Sequence, residues 1–163
     1  MAVNEQQARP KLTLERSLKA SVGAVWELWT TSAGIESWWG PDGFEVKVRT
    51  LDLRPQGELR YSMKAVGADQ IDYMKKAGMP LATDHRVTFT EIVPQRRLAY
   101  LELADFIPGV EAYEVATLIE LEPTATGSRL ILTFDAMHDD RWTRLAVMGR
   151  ESELDRLSRL LEA

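Results

Sequence analysis

Apolar and polar residues alternate from Leu12 to Leu18, with Leu12, Leu14 and Leu18 on one parity and Thr13, Glu15 and Ser17 on the other. This is the period of a half-buried strand, and Arg16 is the charge that intrudes on its apolar side. Ser21 is placed to cap a short helix over Val22–Trp29, and Ser32–Trp39 reads as a second one closed by Gly40-Pro41. Alternation returns over Phe44–Val48 and again over Leu59–Ala65, with the turn Asp52-Leu53-Arg54-Pro55-Gln56-Gly57 between them. Four further strand-like runs follow, Val87–Val93, Leu98–Leu103, Tyr113–Leu121 and Arg129–Phe134, separated by turn residues. From Asp139 the period changes to 3.6. Trp142, Leu145, Ala146, Leu157 and Leu160 form one stripe, with Asp139 as its N-cap.

These elements predict an α+β fold. A curved antiparallel sheet of about six to seven strands wraps around a long C-terminal helix, with two short helices after the first strand. The gap between sheet and helix is the natural place for a ligand. Gly149 interrupts the long helix at a cost of about 1 kcal/mol against alanine, so a close approach of helix to sheet is expected there. The stretch Ala65–Thr83 breaks the strand pattern, and Gln70–Ala77 within it reads as a short helix. With Gly67 and Gly78 at its flanks, the stretch is expected to act as a mobile lid.

A chain of 163 residues that is 45% hydrophobic can bury a core without staples, and it has no cysteine to make one. The expected organisation is a frayed tail over 1–10 and a single domain over 11–163. The formal charge of −5 argues against nucleic acid as a partner. No apolar run is long enough to span a membrane, and the polar first ten residues do not resemble a signal peptide, so a cytoplasmic location is expected. Monomer and homodimer both fit.

Several short runs are similar to one family. Arg16-Ser17-Leu18-Lys19-Ala20 with Val25-Trp26, Glu36-Ser37-Trp38-Trp39-Gly40-Pro41, Asp52-Leu53-Arg54-Pro55-Gln56-Gly57, Thr90-Glu91-Ile92-Val93-Pro94 with Arg97-Leu98, and Gly149 with Leu154-Asp155-Arg156-Leu157 occur in order. Together they resemble the SRPBCC (START-like) superfamily, in its branch similar to the activator of a heat-shock chaperone's ATPase (AHSA-type). The resemblance implies the helix-grip fold with an internal cavity, and it is compatible with lipid carriers, cyclases and co-chaperones alike. Two positions depart from the family pattern: Gln56 stands in place of a glycine, and Arg150 in place of an aromatic residue.

Three readings follow. The first is a small hydrophobic ligand-binding protein, its cavity lined by Tyr61, Met63, Phe89 and Tyr113 from the sheet and Phe134, Met137 and Trp142 beyond it. Met74 and Met79 of the lid and the adjacent Trp38 and Trp39 join this set. The second is a co-chaperone-like module that binds a chaperone or another protein. The third is a cyclase- or hydrolase-type enzyme using Glu153, Glu91 or His138, and it is the weakest because no nucleophile or cofactor motif is visible. Arg16 and Glu91 fall on the apolar parity of their strands and Glu153 near the centre of the helix's apolar stripe, so each must be paired or face a wet cavity; Glu153 is the candidate cavity acid. His138-Asp139-Asp140 reads as a helix start in preference to a metal site, and His85 beside Asp84 as exposed at a strand edge. No cofactor, metal ligand or catalytic residue is assigned.

Overall fold

The structure, a computed structural model, describes residues 9–162. Of the expected tail, residues 1–8 lie outside this range, but Arg9 and Pro10 are docked. The Arg9 guanidinium donates to the Ala136 and Glu114 carbonyls at 2.9 and 2.7 Å, and the Pro10 carbonyl accepts from the Ala136 amide.

Strand β1 (Lys11–Leu18) leads into α1 (Val22–Thr30) and α2 (Ser32–Trp38). Each of these helices starts on a side-chain cap, Ser21 accepting from the Ala24 amide and Thr31 from the Gly34 amide. A β-carbon on Gly34 would lie 2.5 Å from the Glu27 carbonyl oxygen, so glycine is what lets the two helices touch. Strands β2 (Phe44–Leu51) and β3 (Glu58–Ala65) follow, then α3 (Ala68–Lys76), β4 (Ala82–Val93), β5 (Arg97–Ala104), β6 (Tyr113–Thr124), β7 (Gly127–Asp135) and the long helix α4 (Asp140–Glu162). All seven strands form one antiparallel sheet in the order β1-β7-β6-β5-β4-β3-β2. The first strand therefore pairs with the last, and α1 and α2 carry the chain to the opposite edge.

The inner face of the sheet is read directly from alternation. Leu59 and Tyr61, Val87 and Phe89, Leu98 and Tyr100, Ile119 and Leu121, and Leu130, Leu132 and Phe134 are all buried, and they meet Leu154 and Leu157 of α4. Register shifts at Val48/Thr50 and Phe89/Glu91 bend the sheet. The second shift also explains Glu91: the extra residue turns it outward, where it pairs with Arg97 at 3.2 Å. Arg16 reaches past the edge toward Asp155 at 3.9 Å. Both charges on the apolar parity thus escape the core.

Strand β4 begins five residues earlier than the expected Val87. Thr83-Asp84-His85-Arg86 is too polar to announce a strand, but Thr83 and His85 share the parity of Val87 and Phe89 and point inward. His85 is 6% exposed, which overturns its placement at an exposed strand edge.

Helix α4 is fixed at both ends. At its start, Asp139 accepts from the Trp142 amide and Thr143 accepts from the Met137 amide. Near its end, Arg156 Nη1 reaches the carbonyls of Gly40, Pro41, Phe44 and Trp39 at 2.7–3.4 Å, and Ser152 accepts from the Asp42 amide. The middle stands away from the sheet. A β-carbon on Gly149 would find no atom within 4 Å, so the expected close approach there is wrong: Gly149 faces open space.

Two outcomes follow from this anchoring. Gly149→Ala removes a helix-interior glycine without a clash and should raise unfolding free energy by about 0.5–1 kcal/mol in denaturant titration. Arg156→Met should lower it by about 2 kcal/mol, because backbone carbonyls of the 39–44 loop lose a charged donor.

Candidate functional site

Between the middle of α4 and the inner face of the sheet lies a pocket of about 330 Å³. A smaller chamber of about 100 Å³ adjoins it. Both are bounded by Pro41, Met63, Glu102, Arg150 and Glu153, so the polar groups stand at their junction.

The large chamber is mainly apolar. Phe134, Val115 and Ala104 come from the sheet, Trp142, Leu145, Ala146 and Gly149 from α4, and Phe106 and Met137 from the connections. Helix α3 and the turn after it add Tyr73, Met74 and Met79. This segment is held by the Gly43 carbonyl, which accepts from the Val66 and Gly67 amides at 2.8 and 3.0 Å. The small chamber is aromatic, walled by Trp29, Trp38, Trp39, Tyr61 and Tyr100. Trp38 and Trp39 are both buried, although adjacent residues cannot share one helix face. Trp39 is the residue that ends α2, with extended backbone, which lets its ring turn toward Tyr61 while Trp38 packs on Trp29.

The rings form a continuous series. Trp29, Trp38, Trp39, Tyr61, His85 and Phe106 follow one another with centroid separations of 4.5, 6.1, 5.4, 5.0 and 5.4 Å. The Trp38 indole donates to the Leu28 carbonyl, but the buried Trp39 indole N–H and His85 Nδ1 have no partner among the described residues. His85 Nε2 lies 2.7 Å from the Thr83 hydroxyl.

Arg150 emerges from α4 over a row of paired residues, Tyr100 on β5, Thr117 on β6 and Phe134 on β7. Its guanidinium lies 4.8 Å from the Phe134 centroid and donates to Thr117 Oγ1 at 2.8 Å. Glu153, one turn further on, accepts from the Gly40 amide at 2.9 Å. Burial pushes its carboxyl above the usual range; Arg150, the Gly40 amide and Arg156 oppose this, and Glu102 reinforces it. Burial also pushes the Tyr100 hydroxyl up to about 12 and that of Tyr61 well above its ordinary value. Both phenols therefore stay protonated at physiological pH. Burial lowers the His85 pKa below 6.5, against the pull of Glu102, Asp105 and Asp84, which keeps the imidazole neutral at pH 7.

Of the sequence-selected residues, Trp38, Trp39 and Tyr61 border the small chamber, Met74, Met79, Phe134, Met137 and Trp142 the large one, and Met63 and Glu153 both. Phe89 and Tyr113 border neither. Phe89 is 1% exposed and packs edge-on to Tyr100 in the core. Tyr113 turns to His138, its hydroxyl 2.8 Å from Nδ1. His138 thereby packs at the start of α4 beside Asp139. Sequence reasoning missed His85 and Glu102. Parity was the available signal for each, since Glu102 continues the series Leu98, Tyr100 on β5.

The histidine supplies a pH test. Its folded-state pKa lies below the unfolded value near 6.5, so the unfolded chain takes up a proton first on acidification. The stability that neutral His85 contributes is complete above about pH 6.5 and is lost as pH falls toward the folded-state pKa. The unfolding free energy of the protein minus that of His85→Gln should therefore shrink between about pH 7 and pH 5. A difference that stays flat would mean that the ring is not held neutral.

The fold has known counterparts. The AHSA1 protein of Silicibacter pomeroyi superposes with a TM-score of 0.73 at 22% identity, covering 94% of this chain and 98% of that one. A protein of Chromobacterium violaceum gives 0.73 at 21%, covering 94% and 99%. The AHSA1-like protein of Aeromonas hydrophila gives 0.70 at 21%, covering 94% and 92%. No protein of curated function matches the sequence. The family model described as activator of Hsp90 ATPase homolog 1-like protein matches residues 19–162, nearly the whole described fold, and the chain belongs to that family.

Proposed function

We propose that this protein binds a small hydrophobic molecule in the pocket between the sheet and α4. The observation that carries the reading is the 330 Å³ chamber, within the size range of small-molecule sites, with mainly apolar walls that also include Thr83, His85 and Asp135, and with Arg150, Glu102 and Glu153 where it meets the smaller chamber. Leu145, Ala146, Met137, Phe134 and Met74 are the contacts for an apolar body, and Arg150, Glu102 and Glu153 orient a polar end. The methionines suit a site that adapts its shape to its occupant. Helix α3, with Tyr73 half-exposed and Met74 buried, is its cover.

The family also supports a co-chaperone-like role toward a chaperone or another protein, and Met148 at 66% exposure on the outer side of α4 is the kind of side chain such a contact would use. The pocket favours the ligand reading, because a module working through an outer face has no need of the space beneath α4.

The test is native mass spectrometry of protein purified from cells, beside the Ala146→Phe variant. The wild type should carry a low-mass adduct that extracts into organic solvent, and the variant, its chamber filled by the phenyl ring, should lose most of it while keeping its fold by circular dichroism. Equal absence of adducts, together with no binding of hydrophobic dyes by the wild type, would remove the reading.

A further inference from the structure

The charged groups at the junction of the two chambers form no ion pair with one another or with any other described residue. Arg150 is the only Lys or Arg side chain that borders either chamber among the described residues. A guanidinium has five N–H donors. One goes to Thr117, the Tyr100 hydroxyl stands beside the guanidinium as a second partner, the plane rests over Phe134, and no described carboxylate lies within ion-pair distance of it. Glu102, facing the same space from β5, accepts no hydrogen bond from any described residue. Glu153 keeps one oxygen on the Gly40 amide. The indole N–H of Trp39, a ring of the small chamber, is buried without a partner.

We propose that this junction holds the head of an amphipathic ligand, and that the head is uncharged with an acceptor and an N–H donor side by side, the arrangement of a carboxamide. The inference rests on the pocket reading above and adds the chemistry of the head group. An amide carbonyl satisfies Arg150 or the Trp39 N–H, and its N–H₂ satisfies Glu102. A carboxylate would gain Arg150 but stand beside two acids, and at comparable separations two repulsions outweigh one attraction. An ammonium would be drawn by the two acids against the one Arg150, but it has donors only, so it leaves the Arg150 and Trp39 N–H groups without an acceptor and loses the strong hydration of a compact charge. A plain alcohol donates one hydrogen where the carboxamide donates two, and it donates and accepts through a single oxygen, so it satisfies fewer of these groups. The aliphatic tail then runs along Phe134, Leu145 and Ala146 into the large chamber.

The experiment is calorimetric titration of decanamide, decanoate, decylamine and decanol into the full-length protein and into Arg150→Met and Glu102→Met. Decanamide should bind wild type tightest, by about tenfold over decanol, the usual effect of hydrogen bonds to charged groups. Each variant should lose most of the decanamide lead over decanol, while circular dichroism shows that its fold is kept. Decanoate or decylamine binding tightest, or four equal affinities, would overturn the head-group assignment and leave the pocket reading standing. Decanamide preference that survives in both variants would overturn it too. No binding of any of the four to wild type would take down the pocket reading and this inference together.

Discussion

Everything in this molecule depends on how α4 is suspended. The helix runs over 23 residues, about 35 Å, and a rod of that length can touch a curved sheet only in part. Its C-terminal half is seated by Leu154 and Leu157, 2% and 0% exposed, and by Arg156 on the carbonyls of the 39–44 loop. Its N-terminal end is seated by the Asp139 cap and by Trp142, packed against the separate cluster of Ala104, Ile107 and Val115. Between these supports the side chains are Leu145, Ala146, Gly149 and Arg150, two of them too small to fill the space below. The pocket follows from anchoring the ends and shortening the middle.

Such a gap works against stability, since an unfilled apolar space forfeits the contacts that packing would give. The groups at its edge add a second cost. The Arg150 guanidinium and the Glu153 carboxylate, drawn away from bulk water, are expensive unless each finds a partner. The structure offsets part of this with the Phe134 face, Thr117 and the Gly40 amide. Simple core residues at 150 and 153 would avoid that expense, so the polar junction is a feature that core packing alone does not account for.

The fold was legible because two periods were clean. Alternation in Leu59–Ala65 and Arg129–Phe134 and the 3.6 stripe after Asp139 each state which face is buried, and the sheet and helix follow. Boundaries failed where polar residues sit on an inward parity: Thr83 and His85 look like loop, yet they face the pocket, and a pocket is where inward polar residues belong. Glu91 counts as inward only until the bulge at Phe89/Glu91 resets parity, which no residue type there signals; its pairing with Arg97 is one of the two outcomes that a charge on apolar parity allows. Gly149 was read through its cost alone. A helix glycine needs a compensating circumstance, and both close packing and an open cavity supply one; only coordinates distinguish them.

The 39–44 loop joins the parts into one mechanical unit. Its carbonyls receive Arg156 of α4, its Gly40 amide holds Glu153, and its Gly43 carbonyl holds the entry to α3. Gly40 at φ +85 and Gly43 at φ +86 adopt backbone that side chains disfavour, which keeps these groups pointed in three directions at once. Pro41 and Phe44, from the same loop, border the large chamber. An occupant pressing on Pro41 or drawing on Glu153 therefore acts on the one segment that supports both the helix above the pocket and the cover beside it. On the proposed ligand reading, occupancy would reach the seating of α3 and α4 through this loop, with no need for a longer path through the sheet.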